Sequence, residues 1–334
     1  MKKKTKIILF LLSILILLFL LKKTDLREIL EIISKANLLM AFLGIILYLC
    51  LVFFRSLKWF LLTKEIKKEV KYSEVLPIFL INSFLGNITP LKSGGVLSPF
   101  LFKKYLKISE GQGFSVMMID MFFEIIVFCL LLLFSLFYII NSNIKNQLSS
   151  VVFKELLFLV ILMAVFACAI LFSKKIAARF LRIFSFFKKN PFLNKIIDFF
   201  EKQIESFYQT IILCKEKKSY YYMIPLTIAV WLFEILSFYL IFASVSPIPF
   251  LKITTTQIIA AAATFLVLTP AGIGVAELSI VFILSLFGYP YNLILAGTLL
   301  TRFLLTGTLF LTGFSGFLLI KNKEAQKIDI TKLA

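Results

Sequence analysis

Apolar residues run along this chain in long blocks separated by short basic stretches, and few of the blocks carry a polar stripe at helical spacing. A helix wet on one face would carry such a stripe, whereas one that is apolar all round is buried in protein or in lipid. About 20 apolar residues in a helix cross a hydrocarbon core. The pattern therefore predicts full spans over 7–21, 38–62, 114–140, 151–173, 223–246 and 291–320. The first is short and is expected to stand upright or to thin the bilayer locally. The fold class expected is an all-α polytopic membrane protein with about six full spans.

Two further apolar stretches are broken near their middles. Residues 75–113 run Val75 to Leu85 and then read Gly86-Asn87-Ile88-Thr89-Pro90-Leu91-Lys92-Ser93-Gly94-Gly95. Residues 254–288 run Thr254 to Leu268, break at Thr269-Pro270-Ala271-Gly272-Ile273-Gly274, and continue as Val275 to Phe287. Thr89-Pro90-x-x-x-Gly94 thus repeats as Thr269-Pro270-x-x-x-Gly274. Two broken hairpins entering from opposite faces are what an inverted repeat produces. Broken backbone at membrane depth persists only inside protein or beside a watery cavity. The bland reading is a pair of Pro-Gly loops at the membrane surface.

Charge sets the orientation, because Lys and Arg concentrate in cytoplasmic loops. Lys2, Lys3, Lys4 and Lys6 place the N-terminus inside, and Lys58, Lys64, Lys67, Lys68 and Lys71 do the same for the end of the second span. Both flanks of 75–113 are basic, so that hairpin is expected to enter and return. Segment 174–222 is rich in Lys and Arg, with Ile176, Phe180, Ile183, Phe184 and Phe187 at helical spacing. It reads equally as helices on the inner leaflet or helices against the bundle. Residues 22–37 fit least well, since they should be outside yet carry Lys22, Lys23, Arg27 and Lys35. The chain is thus read as a single transmembrane domain, 1–334, in four parts. They are 1–113 with the first hairpin, 114–222 with the basic segment, 223–320 with the second hairpin, and a cytoplasmic tail, 321–334.

Composition narrows the chemistry. Hydrophobic residues make up 60% of the chain, against about 45–50% in soluble domains. The net charge of +19 lies between apolar runs, where it suits anionic headgroups, and no recognition motif accompanies it to suggest nucleic acid. Histidine is absent, which removes any mechanism needing an imidazole. Four cysteines form no CxxC pair and read as packing residues, with no metal site and no cofactor expected. There is no P-loop and no dinucleotide fingerprint.

Charged residues within spans cost about 2.5–3.5 kcal/mol each on insertion scales, so each is a candidate for function. Asp120 and Glu124 share a face of the third span, Glu234 lies in the fifth and Arg302 in the sixth. Glu277 directly follows the second break, and Arg55 stands in the second span beside Lys58. The plainer readings are that Arg302 neutralises Glu234 or Glu277, that Glu277 complements a helix dipole, and that Arg55 and especially Lys58 snorkel to the inner headgroups. Thr89, Pro90, Gly94, Gly95, Thr269, Pro270, Gly272 and Gly274 form the two backbone breaks. A half-helix starting after Pro270 would aim its N-terminal N–H groups at an anion such as a lipid phosphate.

Pro270-Ala-Gly-Ile-Gly-Val-Ala-Glu277, followed by a helix ending Phe287-Gly288-Tyr289-Pro290, resembles the flippase-like transmembrane region of lysylphosphatidylglycerol synthases. That family carries Pro-x-Gly-Gly-x-Gly-x-x-Glu, an apolar helix, Phe-Gly-x-Pro, and a helix with an embedded arginine, where Arg302 stands here. In the first half Pro90, Gly94 and Gly95 match. Val96 stands at an acidic position, the arginine position falls near Ser98 or Pro99, and Asp120 is followed by Met121 rather than arginine. The resemblance implies a stand-alone flippase-like protein moving a polar-headgroup lipid, either an aminoacylated phospholipid or a polyprenyl-phosphate-type lipid. It is expected to lack the synthase domain and therefore enzyme activity, and to sit in the cell membrane with both termini cytoplasmic. Two other readings stay open. One is a membrane partner presenting lipid to a separate lysyl- or glycosyltransferase. The other is an ion-coupled transporter of a small solute. The partners implied are membrane lipids and, on the second reading, that lipid-modifying enzyme.

Overall fold

The computed structural model describes residues 24–89, 94–95, 97–142, 158, 208–210, 212, 220–266 and 272–333, with side chains described as far as Lys321. The expected spans 7–21 and 151–173, nearly all of 174–219, and Pro90, Thr269 and Pro270 lie outside the described residues. All regular structure among the described residues is helical: α1 (Leu26–Ser34), α2 (Leu38–Ile66), α3 (Tyr72–Ile88), α4 (Ser98–Leu101) running into a π-helical turn (Phe102–Leu106), α5 (Glu110–Ile140), α6 (Tyr220–Ala243), α7 (Phe250–Leu266), α8 (Val275–Leu286) and α9 (Tyr291–Leu333). Among the described residues, four stretches are long and apolar enough to cross a membrane: Leu38–Ile66, Glu110–Ile140, Tyr221–Ala243 and Tyr291–Lys321.

Local chemistry fixes where these helices begin. The Asn37 side chain accepts from the Met40 N–H at the start of α2. At the start of α5, Ser109 Oγ accepts from the Gln112 N–H while Gln112 Oε1 accepts from the Ser109 N–H, a reciprocal capping box. Helix α3 starts with Glu74 accepting from the Lys71 N–H.

Which helices touch follows one rule. Helix α2 lies along α6, α3 packs on α9, and α7 packs on α5. Exchanging α2 with α6, α3 with α7, α4 with α8 and α5 with α9 maps this network onto itself, including the α2–α3 and α6–α7, the α3–α4 and α7–α8, the α4–α5 and α8–α9, and the α2–α5 and α6–α9 contacts. The recurrence of Thr-Pro-x-x-x-Gly in the sequence is therefore matched by a repeat in the contacts. The returning arms differ: α8 has twelve residues, whereas its counterpart is a four-residue helix and a five-residue π-turn.

Small residues bring the central pairs close, as in other membrane bundles. At the α2–α6 crossing Ser237 Oγ donates to the Gly44 carbonyl at 2.7 Å. At the α3–α9 seam a Cβ on Gly313 would stand 2.4 Å from Phe84 Cβ, and one on Gly316 would stand 2.8 Å from Leu80 Cβ.

Residues 22–37, the poor fit in the charge pattern, contain α1. Its Ile29 is buried among Phe242, Ile248 and Leu295, Glu28 accepts from the Asn292 amide, and the Asn37 N–H donates to the Ser244 carbonyl. Helix α1 therefore caps the end of the bundle where α6 finishes and α9 begins. Lys35 pairs with Glu31 one turn earlier, and this hydrogen-bonded ammonium lowers the Glu31 carboxyl from its ordinary value.

Candidate functional site

Helix α2 presents Arg55, Lys58 and Trp59 at i, i+3 and i+4, which is one face. Helix α5 presents Asp120 and Glu124 at i and i+4. Where the two helices meet, these faces interlock. Lys58 Nζ lies 2.6 Å from Glu124 Oε1 and 2.7 Å from Asp120 Oδ1. Arg55 Nη2 lies 3.1 Å from the other Glu124 oxygen, and Trp59 Nε1 donates to Asp120 Oδ2 at 2.9 Å. From α6, Glu234 approaches Arg55 at 4.0 Å. Three carboxylates and two cations from three helices thus form one intramembrane constellation.

Lys58 corrects an expectation: its side chain does not snorkel to the headgroups but is fully buried between the two carboxylates. An ammonium desolvated to that degree is tolerable only when paired and hydrogen-bonded. Arg55 and Glu124 keep partial exposure, 27% and 14%, so the constellation has a buried floor at Lys58 and an open side at Arg55 and Glu234. Lys58 and Trp59 were absent from the sequence-derived candidates. The signal for Lys58 was the matching i, i+3/i+4 spacing of opposite charges on two spans; Trp59 had none beyond sharing that face. The Trp59 ring stacks on Phe102 of the π-turn at 5.8 Å and meets Phe79 of α3 edge-on, so the ion constellation is wired directly to the first hairpin.

At the first break, Thr89 organises the chain. Its hydroxyl donates to the Leu85 carbonyl at 2.7 Å and accepts from the Gly94 N–H at 2.6 Å. Gly94 lies so close to α3 that a Cβ would stand 2.3 Å from the Leu85 carbonyl oxygen, and a Cβ on Gly95 would stand 3.3 Å from Asn82 Oδ1. Glycine is required at 94, where the chain leaving the break folds back onto its own helix, and the fit is tight at 95.

At the second break, Gly272 and Gly274 both have positive φ, +67° and +88°. Such angles suit glycine and are costly for other residues. Gly274 precedes α8, and its N–H donates to Glu277 Oε2 at 2.7 Å. The other Glu277 oxygen lies 2.8 Å from Arg302 Nε of α9. Of the two carboxylates considered for Arg302, the structure selects Glu277, which is buried. One carboxylate thereby caps the half-helix and ties it to α9. The Arg302 side chain, a third exposed, thus stands beside a positively polarised helix end.

The candidates therefore fall into two groups, Arg55, Asp120, Glu124 and Glu234 with Lys58, and Glu277 with Arg302. The resemblance noted in the sequence can be set against known proteins. Residues 6–313 match the lysylphosphatidylglycerol synthase TM region. A UPF0104 membrane protein of Methanocaldococcus jannaschii is 23% identical over 332 residues, covering 96% of each chain. Another, from Methanothermobacter thermautotrophicus, is 23% identical over 287 residues, covering 82% of this chain and 83% of its own. A third, from Pyrococcus horikoshii, is 22% identical over 329 residues, covering 96% and 98%. With its helical spans, its glycine breaks and its paired Glu277 and Arg302, the chain is a membrane protein that belongs to the lysylphosphatidylglycerol synthase transmembrane-region family.

Proposed function

We propose that the chain is a flippase-like lipid translocase that carries a polar-headgroup lipid between leaflets. The lipid is of the aminoacylated-phospholipid or polyprenyl-phosphate class, and the host is the cell membrane with both termini cytoplasmic. The observation that carries this reading is the constellation of Arg55, Lys58, Asp120, Glu124 and Glu234 on three packed helices. Ionised groups at membrane depth are costly and mark substrate or ion pathways. A lipid headgroup carries the same chemistry: an ammonium exchanges for Arg55 at Glu124 or Glu234, and a phosphate exchanges for Glu124 at Arg55. The headgroup then passes the bilayer by trading one charged partner for another while its chains stay in lipid. Arg302 and the N-terminal end of α8 offer a second anion partner on the same path. The reading assigns transport, and no group transfer, to these residues.

The test is a leaflet-asymmetry assay in reconstituted liposomes, with labelled aminoacyl-phosphatidylglycerol and labelled polyprenyl phosphate as separate cargoes. Exchange faster than in protein-free liposomes, and slowed by Glu124→Gln or Glu277→Ala, is expected. Rates equal to protein-free liposomes for both cargoes would overturn the reading.

A further inference from the structure

Outside the ion constellation, the described residues form an apolar groove of about 250 Å³ between α3, the 98–106 arm and α9. It is lined by Ile81 and Leu85 of α3, Leu97, Leu101 and Tyr105 of the arm, and Phe317 of α9, among others. The groove lies on the outside of the bundle, where Leu97 is 50% exposed, and Phe100 and Phe317 flank it with their rings partly uncovered. Helices α3 and α9 run antiparallel here, since Gly313 meets Phe84 while Gly316 meets Leu80 and the Pro77 carbonyl. The groove therefore has two unlike ends. Leu85 and Leu97 bound the end at the first break. Tyr105 and Ile320 bound the other, and there the chain is basic: Lys104 lies over the Tyr105 ring at 4.7 Å, Lys107 closes the π-turn with a φ of +58°, and Lys321 follows Ile320. Lys104, Lys107 and Lys321 are exposed. The nearby Glu110 carboxylate is paired with Lys103 at 2.8 Å.

We propose that this groove binds one acyl chain of an anionic phospholipid, headgroup at Lys104, Lys107 and Lys321 and tail toward the first break. The size and the lateral opening suit part of a chain rather than a compact solute, because small-molecule pockets run to about 300–1,000 Å³ and enclose most of their ligand. The apolar floor is continuous with the lipid-facing surface of α9, so the occupant comes from the bilayer itself. The lysine rim selects its charge, each lysine near the surface being worth about fivefold in relative affinity for an anionic lipid. Occupancy also touches the ion constellation, because the arm that lines the groove with Leu101 and Tyr105 stacks Phe102 on Trp59, the residue that hydrogen-bonds Asp120. The proposal does not rest on lipid transport: an anionic lipid bound here is a resident of one leaflet.

The protein contains two tryptophans, and Trp231→Phe leaves Trp59 as a reporter one ring away from the groove. The full chain carrying that change is reconstituted with phosphatidylcholine, and either brominated phosphatidylglycerol or brominated phosphatidylcholine is added at equal mole fraction. Quenching of Trp59 is expected to be stronger with the anionic lipid. The difference is expected to disappear in Lys104→Gln/Lys107→Asn/Lys321→Gln, and quenching by both lipids to fall in Leu97→Phe, which narrows the groove at an exposed position. Each variant is first shown to be monodisperse by size exclusion. Equal quenching by the two lipids, or an anionic preference untouched by both sets of substitutions, overturns the proposal. Because the readout is equilibrium binding, a protein that fails the leaflet-asymmetry assay can still pass this one, and the reverse.

Discussion

On the helices of the first half, Lys58 sits between Asp120 and Glu124 and Arg55 shares Glu124, and Glu234 of α6 stands at the edge. In the second half, Glu277 has one oxygen on the N–H of Gly274, three residues away, and the other on Arg302. The first arrangement exists only where α2, α5 and α6 meet, and its central cation has two partners. The second is half local, since the carboxylate is satisfied by its own helix end even before α9 arrives. Related halves of one chain thus hold charge in the membrane in two ways. One is a network able to exchange partners, and the other is a latch on a helix terminus.

The contrast can be broken most severely at Lys58. Lys58→Met leaves buried Asp120 without a cation and Glu124 with Arg55 alone, and is expected to cost about 3–5 kcal/mol, read by reversible unfolding in detergent micelles. Lys58→Met combined with Asp120→Leu removes the orphaned carboxylate while Arg55 keeps Glu124, and is expected to recover most of that loss. A double variant no more stable than the single one would show that Lys58 acts through shape and not through charge. At the latch the effect is smaller: Glu277→Gln keeps an acceptor for the Gly274 N–H but loses the charged partner of Arg302, and about 1.5–3 kcal/mol is expected in the same measurement.

The seam that joins the halves can be tested without touching a charge. Gly313→Leu drives a side chain into Phe84 and is expected to cost about 1–3 kcal/mol by overpacking, whereas Gly307→Leu, with nothing within 4 Å of its Cβ, is expected to be tolerated. Near-equal thermal midpoints for the two variants would place the α3–α9 contact outside the stabilising core.

The smallest effect belongs to α1. Lys35 lowers the Glu31 carboxyl, so their pairing contributes above the ordinary carboxylate range and is lost as pH falls through the lowered value. The pair is exposed to solvent, and Lys35→Ala is expected to leave the thermal midpoint unchanged within error at pH 7 and pH 4. A clear drop at pH 7 alone would mean that α1 is held in place by this pair rather than by Ile29.

Much of the architecture was legible along the chain. The spans expected over 38–62 and 114–140 appear as Leu38–Ile66 and Glu110–Ile140, because a membrane helix is specified by its own continuous apolar surface. The breaks were legible for a similar reason, since glycine at φ of +67° and +88° and a proline in an apolar run announce irregular backbone locally. Helix α1 was missed, as its charges drew attention and its single buried residue, Ile29, did not. The π-turn at 102–106 has no local signature; it arises where the arm must reach both Trp59 and Lys67, whose ammonium donates to the Leu106 carbonyl.

The sequence by itself determined that this is a helical membrane protein, where its chain breaks, and which charges fall within apolar helices, because the preference for lipid is decided residue by residue by transfer from water. Only the tertiary structure decided what those charges do. Lys58 was as free to snorkel as to be buried until α5 brought two carboxylates 62 and 66 residues away in sequence onto its face. Arg302 had two carboxylates to choose from until α8 was seated against α9. Ion pairing at this depth depends on helix register and crossing, which are set by glycines and side-chain volumes at contacts such as Gly44 with Ser237 and Gly313 with Phe84, and no local pattern of hydropathy contains that information.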